Sequence, residues 1–208
     1  MPRRAASRGS SSSAWYVAKM SATSSRKMTP AEYLAWEREQ PGKHQYVGGE
    51  IFAMAGGSPR HNFLSFRVLA QLDHAPCSPL TSDQKVFIPA TGNFVYPDGT
   101  VICGPPQLHA GSRDAIENPR VVVEVLSKST EQHDRGDKWT DYRSVPSLTD
   151  YLLVSQRLPS IEHFAREPDG SWRYRVAGPG DQLELTTGAI IDVDKLYSGA
   201  FDLPGDEG

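Results

Sequence analysis

The segment Val121–Leu126 is apolar except for one carboxylate, Glu124. A short run this rich in valine predicts a strand that is covered on both faces. Because successive side chains of a strand point to opposite faces, Glu124 points away from Val123 and Val125. A carboxylate buried in such a strand is costly unless another group compensates its charge. The segment therefore predicts a central buried strand and a compensating cation close to Glu124.

Helical and strand patterns alternate on both sides of this strand. Capping residues and helical spacing predict helices over 28–40, 58–75, 130–145 and 192–197. Strands are predicted over 44–54 as a hairpin, and over 84–89, 93–103, 120–126, 147–155, 160–166, 171–177 and 181–187. This order predicts an α/β chain of the α+β type, with a mixed central sheet flanked by helices and an added C-terminal hairpin.

Composition and charge exclude some classes of protein. Hydrophobic residues make up 38% of the chain, and no apolar run approaches the length of about 18 residues that a membrane span needs. The net charge of -3 provides no global basic field. A nucleic-acid partner would therefore need a local basic surface.

The N-terminal segment and the cysteines lead to two further predictions. Residues 1–27 are rich in Arg, Ser and Ala and lack acids. This composition is typical of a disordered extension or of a start codon placed too far upstream, although an organelle transit peptide shares it. The folded domain is predicted over 28–203. Cys77 and Cys103 lie far apart in the sequence, so we expect unpaired thiols in a reducing cytoplasm.

Polar residues on three segments indicate a possible reaction centre. Asp98 follows Pro97 inside a predicted strand, and Asp134 and Lys138 share one face of a predicted helix. Two carboxylates on neighbouring strands, here Asp98 and Glu124, repel each other unless a cation lies between them. Mg²⁺ binds one or two carboxylates together with waters and substrate phosphates. Such an ion activates water for phosphate hydrolysis.

Each of these residues also has a purely structural interpretation. Pro97-Asp98-Gly99 is a common turn sequence. Glu124 can pair with a core arginine or face solvent, and Asp134 with Lys138 can be a surface ion pair. The order favours the metal site, because a second acid in a buried strand follows the first after about 25 residues and a lysine lies on the next helix.

Four segments together resemble the Uma-two family of restriction endonucleases. They are "EYLAWE", "GGEIFAMAGGSPRHN", "YPDGTVIC" and "NPRVVVEVLSKSTEQHDRGDKWTDYRSVPSLTDYLLV". This family belongs to the PD-(D/E)XK nuclease superfamily, and the resemblance spans about residues 28–201. It implies a restriction-endonuclease-like core and a Mg²⁺-dependent site that hydrolyses phosphodiester bonds of DNA.

The resemblance also implies roles for individual residues. Asp98 matches the acid of the PD element and Glu124 matches the second acid. With the carbonyl of Val125 they would hold Mg²⁺, for which Mn²⁺ would substitute. Lys138 matches the superfamily lysine, displaced here to the following helix, where it would position the attacking water or neutralise charge. Asp134 would orient that lysine.

Five more residues are accessory candidates. Glu50 and His61 match polar positions of the GGEI and SPRHN motifs. Glu50 would add a carboxylate to the catalytic site, and His61 would act in catalysis or simply cap a helix. Lys128 is the second candidate for the catalytic lysine. Arg135 and Arg143 would bind flanking phosphates, unless they are only solvated surface residues.

The chain departs from the family pattern at three positions. Leu126 occupies the usual lysine position, and Gln45 and Gly48 stand where relatives commonly carry acids. These departures leave open an alternative function, a catalytically weakened nuclease-fold module that binds DNA or a protein partner. Hydrolysis of another phosphate ester is a third interpretation. By analogy with other nucleases of this fold, we expect a homodimer.

Overall fold

The computed structural model describes residues 27–206, so the predicted N-terminal extension lies almost wholly outside the described residues. The helices are α1 (Pro30–Glu37), α2 (Pro59–Leu72), α3 (Glu131–His133), α4 (Trp139–Tyr142) and α5 (Val193–Tyr197), with a π-helical turn (Asp134–Lys138) between α3 and α4 and a 3-10 helix (Ala200–Asp202) after α5. Among the helices of residues 27–206, none is long and apolar enough to cross a membrane.

The strands follow the order of the chain. They are β1 (His44–Val47), β2 (Glu50–Ala53), β3 (Cys77–Thr81), β4 (Lys85–Ile88), β5 (Asn93–Val95), β6 (Gly99–Cys103), β7 (Ala115–Ile116), β8 (Val121–Leu126), β9 (Asp150–Ser155), β10 (Ile161–Arg166), β11 (Trp172–Ala177), β12 (Gln182–Glu184) and β13 (Ile190–Asp192).

Two mixed sheets form most of the fold. The larger sheet has the order β11-β10-β9-β8-β6-β3, in which β8 and β9 pair in parallel and the other pairs are antiparallel. The second sheet has the order β2-β1-β5-β4-β7, and β12 pairs with β13 separately. The predicted C-terminal hairpin is the pair β10–β11. The predicted fold class, mixed sheets flanked by a few helices, is confirmed.

The first two helices begin at the capping residues predicted from the sequence. The Thr29 side chain accepts a hydrogen bond from the Glu32 N–H at 3.2 Å, and the Glu32 carboxylate accepts one from the Thr29 N–H at 2.8 Å. This reciprocal pair is a capping box. Ser58 caps α2 by accepting a hydrogen bond from the His61 N–H at 3.2 Å. The start of α2 therefore fixes the backbone of His61.

Strand β8 is buried between two hydrophobic clusters. Val123 and Val125 belong to one cluster together with Leu64 of α2. Their neighbour Val122 belongs to the other cluster, together with Tyr142 of α4. Helices therefore cover both faces of β8, as its valine-rich sequence predicts. Any polar side chain on this strand is consequently enclosed by the fold.

The strand predicted over 93–103 is divided between the two sheets. β5 pairs with β1 and β4 in the smaller sheet, whereas β6 pairs with β3 and β8 in the larger one. The chain changes sheets at residues 96–98, where Pro97 has no N–H to donate to a strand ladder. Asp98 therefore lies at the crossing point, directly before β6.

The prediction that the two cysteines are unpaired is wrong. Cys77 and Cys103 form a disulfide, with their Cα atoms 4.0 Å apart. They lie opposite each other in the β3–β6 ladder. No strand was predicted over 77–81, but the segment forms the edge strand β3, where Pro79 is tolerated. The paired cysteines remove the argument that unpaired thiols gave for a reducing compartment.

Candidate active site

The two predicted acids lie opposite each other on adjacent strands. The antiparallel register of β6 and β8 pairs Gly99 with Val123. Continuing this register by one residue places Asp98 opposite Glu124. The sequence-based expectation that Asp98 and Glu124 come from neighbouring strands therefore agrees with the topology of the sheet.

Asp98 is held by the backbone of β8 and by α2. Its Oδ2 accepts hydrogen bonds from the Val125 N–H at 2.7 Å and from His61 Nε2 at 3.1 Å. Helix α2 approaches β6 closely, since a Cβ on Gly99 would lie 2.6 Å from Leu69 Cδ2. Glycine at this position allows α2 to place His61 within reach of Asp98.

The electrostatics of this pair favour its charged form. Burial opposes ionisation of Asp98, but the hydrogen bond and charge of His61 outweigh burial and lower the pKa of the carboxyl. Burial likewise disfavours the charged form of His61, and the hydrogen bond and charge of Asp98 overcome it, so the pKa of His61 is raised. Both shifts stabilise an aspartate–imidazolium pair.

Lys138 is the cation that compensates Glu124. Its Nζ lies 3.0 Å from Glu124 Oε2 and 2.8 Å from Asp134 Oδ1. The other oxygen of Glu124, Oε1, accepts a hydrogen bond from the Tyr142 hydroxyl at 3.0 Å. Glu124 is 2% exposed and Lys138 is 8% exposed. The structure thus joins Glu124, Asp134 and Lys138 in one buried network.

The π-helical turn places Asp134 and Lys138 in this network. The Thr130 hydroxyl donates to Asp134 Oδ2 at 2.7 Å, and the Tyr151 hydroxyl donates to the Asp134 carbonyl at 2.9 Å. Such turns contain one more residue than a regular helical turn and occur often at functional sites. The contacts from Thr130 and Tyr151 therefore fix the segment that carries Lys138.

The buried carboxyl of Glu124 binds a proton unusually tightly. Burial raises its pKa to about 8, because the attraction of Lys138 only partly offsets burial, and the charges of Asp134 and Asp98 add repulsion. A further cation beside Glu124 would favour its ionised form. When Glu124 is ionised, its charge and that of Asp134 together exceed the single positive charge of Lys138.

Glu50 points towards the same face of β8 as Glu124. Glu50 and Phe52 are two residues apart on β2, so their side chains lie on the same face of the strand. Phe52 packs in the hydrophobic cluster of Val122 and Leu126, which flank Glu124 on its own face. Among the described residues, Oε2 of Glu50 is buried without a hydrogen-bond partner. A buried carboxylate oxygen of this kind is suited to a ligand or an ion.

The remaining candidates lie outside this network. Lys128 is exposed in the turn after β8, and Arg143 is exposed after α4. Arg135 forms ion pairs with Glu131, at 3.1 Å, and with Glu162. Of the two lysine candidates, Lys138 is therefore the one whose ammonium group contacts Glu124.

Two of the three departures from the family pattern, Gly48 and Leu126, have structural explanations. Gly48 has a φ of 59° in the β1–β2 turn, a left-handed conformation that favours glycine. Leu126 is 6% exposed and packs in the core. Gln45 is buried, with its Nε2 3.7 Å from Met54 Sδ. Turn geometry and core packing thus account for Gly48 and Leu126.

The donor set of the site fits a hard divalent cation. Asp98 and Glu124 supply two carboxylates, at positions that lie opposite each other when the β6–β8 register is continued by one residue. Within residues 27–206, no group of three or more His, Cys, Asp or Glu side chains is arranged to hold a metal ion. Mg²⁺ needs only one or two carboxylates, with waters and substrate completing its shell. The residues therefore fit an open Mg²⁺ site and do not form a closed structural site such as that of zinc.

A surface groove leads to Asp98. Its volume is about 440 Å³, and its walls include Asn62 and Phe66 of α2 and Thr81 of β3. Phe66 is 70% exposed. The groove gives an extended substrate access to a carboxylate that is otherwise enclosed by the fold.

Sequence reasoning missed two hydroxyl groups of the network. Tyr142 was expected only on the apolar side of its helix, yet its hydroxyl bonds to Glu124. Its position four residues after Lys138 was the available signal, because such residues share a helix face. The same spacing relates Thr130 to Asp134. Both residues follow from the helical period once Asp134 and Lys138 are taken as site residues.

His133, beside the π-helical turn, makes the stability of the fold pH-dependent. Burial and the charge of Lys138 lower its pKa from 6.5 to about 4. A depressed pKa contributes stability that is complete above pH 6.5 and is lost as pH falls towards 4. Between about pH 7.5 and 5 we expect the wild type to lose about 2 kcal/mol more than His133→Gln in urea denaturation. Equal losses in the two proteins would contradict this assignment.

Known sequences and structures resemble most of this chain. The uncharacterised Synechocystis protein slr1290 is 41% identical over 178 residues, which are 83% of this chain and 93% of that protein. A second Synechocystis protein, sll1609, is 34% identical over 149 residues, 70% of this chain and 84% of that protein. A crystal structure described as a "putative nuclease belonging to DUF820" from Anabaena variabilis superposes with a TM-score of 0.66 and 12% identity, covering 83% of this chain and 99% of that one. At this identity the Anabaena structure is evidence for the fold.

The sequence profile of the Uma2 family, described as "Putative restriction endonuclease", matches residues 30–193. This match covers well over half of the chain, including β6, β8 and the helices that carry His61 and Lys138. The resemblance drawn from the sequence motifs is confirmed, and the chain belongs to the Uma2 (Uma-two) family.

Proposed function

We propose that this protein is a divalent-metal-dependent endonuclease that hydrolyses phosphodiester bonds of DNA. One arrangement carries the proposal: Asp98, directly before β6, lies opposite Glu124 when the β6–β8 register is continued by one residue, and Lys138 Nζ lies 3.0 Å from Glu124. Two carboxylates with a neighbouring ammonium are suited to hold a divalent ion and to stabilise charge on a phosphate. Membership of the Uma2 family supports the same conclusion.

Asp98 and Glu124 would hold Mg²⁺, with the carbonyl of Val125 as a further oxygen donor, and Mn²⁺ would use the same donors. When bound, such an ion polarises the scissile phosphate and lowers the pKa of a coordinated water. The Val125 N–H donates to Asp98, so the strand that carries Glu124 also orients the second carboxylate. This backbone contact keeps the two acids in a fixed relation.

Lys138 positions the attacking water or neutralises charge that develops on the phosphate. Its ammonium is held by Glu124 and Asp134, and the second oxygen of Asp134 is held by Thr130. Because this network is buried, the lysine does not need to reorganise when charge develops. Asp134 thus acts as a positioning residue for Lys138.

His61 and Glu50 have supporting roles in this proposal. His61 orients Asp98 through the 3.1 Å hydrogen bond and competes with a metal ion for that carboxylate. Glu50 would add its unpartnered oxygen to the same side of the sheet. Both residues therefore influence the charge of the site, and His61 also fixes the orientation of Asp98.

DNA would reach the site through the groove beside α2. The exposed cations Lys128 and Arg143 would contact flanking phosphates, whereas Arg135 is already engaged by two glutamates. A homodimer would allow both strands to be cut, and light scattering of the purified protein measures this assembly. If phosphate contacts contribute to binding, affinity falls as salt concentration rises.

The function is tested by cleavage of supercoiled plasmid with the purified protein. We expect conversion to the nicked form in millimolar Mg²⁺ or Mn²⁺ and none in EDTA. RNA and small phosphodiesters, assayed in parallel, define the substrate class. Cleavage that persists in EDTA would overturn the proposed metal requirement. Failure to cleave any of these substrates with either ion would overturn the proposed hydrolase activity.

Metal binding can be tested separately from catalysis. Asp98→Asn should weaken Mn²⁺ binding at least about tenfold in isothermal titration calorimetry, because it removes one of two carboxylate charges. The matched control is Asp83→Asn, since Asp83 is 82% exposed and pairs with Lys43. Equal affinity in all three proteins would contradict the proposed site. If the folded wild type binds no metal at millimolar concentration, the non-catalytic module is favoured.

A further inference from the structure

A second cavity has an unusual concentration of positive charge. It has a volume of about 280 Å³ and is bordered by α1, the start of β4 and residues 112–114. Tyr96 contributes to its wall, whereas Asp98, two residues later, lines the separate groove described above. The charged residues that line the cavity are four cations and two acids: Arg38, Lys43, Lys85, Arg113, Glu37 and Asp114. Lys43 pairs with Asp83 at 2.6 Å and Lys85 pairs with Asp114 at 3.1 Å, so within residues 27–206 the cations of this lining that have no acidic partner are Arg38 and Arg113.

Lys85 is a buried ammonium group in the wall of this cavity. The residue is only 3% exposed. Its Nζ lies 3.1 Å from Asp114 Oδ2 and 5.7 and 5.6 Å from the ring centroids of Tyr33 and Tyr96. A buried ammonium is costly unless its charge is well compensated, and the Asp114 carboxylate is 58% exposed. An anion in the cavity would complete this compensation.

The buried acid of the cavity is engaged elsewhere. Glu37 Oε1 accepts hydrogen bonds from the His44 N–H at 2.9 Å and from the Tyr96 hydroxyl at 3.3 Å. Its Oε2 lies 3.0 Å from His44 Nδ1. These contacts hold Glu37 against β1 and the residue that follows β5.

Two arginines border the opening of the cavity. Arg38, at the end of α1, donates to the carbonyl of Gly111 at 2.5 Å, which ties it to the loop that carries Arg113. Both arginines are exposed. Guanidinium groups bind phosphate oxygens in a bidentate manner, with more directional contacts than an ammonium group makes.

We propose that this cavity binds a phosphate monoester dianion, held by Lys85 at its base and by Arg38 and Arg113 at its opening. A phosphate monoester carries a charge of about -1.5 to -2 at neutral pH, which balances the two guanidinium charges of Arg38 and Arg113. A backbone diester carries a single charge and matches less well. The ligand is a free phosphate monoester such as a nucleotide, or the terminal phosphate of a nucleic acid. This inference is independent of the proposed hydrolysis.

The test uses the full chain in EDTA, so that cleavage does not contribute. Calorimetry with inorganic phosphate and with adenosine monophosphate compares the wild type with the double variant Arg38→Ala/Arg113→Ala. The control is Arg157→Ala/Arg173→Ala, which removes two arginines that are 56% and 54% exposed outside the cavity. We expect binding to weaken at least about tenfold in the cavity variant and to be unchanged in the control.

A second titration identifies the source of the phosphate. A short oligonucleotide with a 5′-phosphate is compared with the same oligonucleotide ending in a 5′-hydroxyl. Preference for the phosphorylated end, lost in Arg38→Ala/Arg113→Ala, assigns the site to nucleic-acid termini. Binding of the small phosphates alone assigns it to a free monoester. If neither phosphate form binds, or if both double variants weaken binding equally, the inference is overturned.

Discussion

Replacing Glu124 with glutamine is expected to reduce Mg²⁺-dependent plasmid nicking by at least about a thousandfold. The amide retains the shape of the side chain and an acceptor for the Tyr142 hydroxyl. It removes the negative charge that pairs with Lys138 and that would bind the ion. Nicking rates under single-turnover conditions give the magnitude, and circular dichroism verifies that the variant is folded.

Companion variants separate this effect from a contaminating nuclease. Asp98→Asn should lose activity to a similar extent, and Lys138→Met should lose at least about a hundredfold. Lys195→Met is the matched control for charge, since Lys195 is exposed on α5. If all these proteins nick plasmid at the wild-type rate, the activity comes from a contaminant and the proposed active site is wrong.

Replacing Asp150 with alanine is expected to destabilise the fold by about 3–5 kcal/mol. Asp150 is fully buried, and its oxygens accept hydrogen bonds from His163 Nε2 at 2.7 Å, from the Thr149 hydroxyl at 2.8 Å and from the backbone N–H and the hydroxyl of Thr186. The variant leaves the buried imidazole of His163, which is 1% exposed, without its acceptor. Urea denaturation at neutral pH measures the change in the free energy of unfolding.

Asp202→Ala, at an exposed position of the 3-10 helix, is the control and should change stability by less than about 0.5 kcal/mol.

The contribution of Asp150 to stability should also depend on pH. Burial disfavours its charge, but the bonds from His163 and Thr186 outweigh burial, so the pKa of Asp150 is lowered from 3.8. Its contribution is therefore complete above pH 3.8 and is lost as pH falls further. If Asp150→Ala unfolds at the same urea concentration as the control, the network is not a stabilising one.

The centre of the fold and the core of the candidate site were predictable from local sequence. The valine-rich segment around Glu124 has the apolar continuity of a strand covered on both faces. The spacing of Asp134 and Lys138 placed them on one helix face, and the structure joins them to Glu124. These features depend on strand alternation and the helical period, which a single sequence contains.

Features that depend on distant segments were not predictable in this way. The division of residues 93–103 between two sheets follows from which partners each half finds. Strand β3 contains Pro79 and is allowed only because it lies at a sheet edge. The cysteine pair depends in turn on that strand. The cavity bordered by α1, β4 and residues 112–114 likewise combines segments that are far apart in the sequence, so no local pattern predicts it.

Because Lys138 lies on a helical segment and not on strand β8, its spacing from Glu124 differs from that of a lysine two residues after the acid. Position 126 carries no polar side chain, and Leu126 packs in the hydrophobic core. The ammonium nevertheless reaches the same carboxylate from a different element of structure. Under the proposed function, the amine of the site comes from the helical segment after β8 and not from position 126 of the strand, so a motif with one fixed spacing would miss this arrangement.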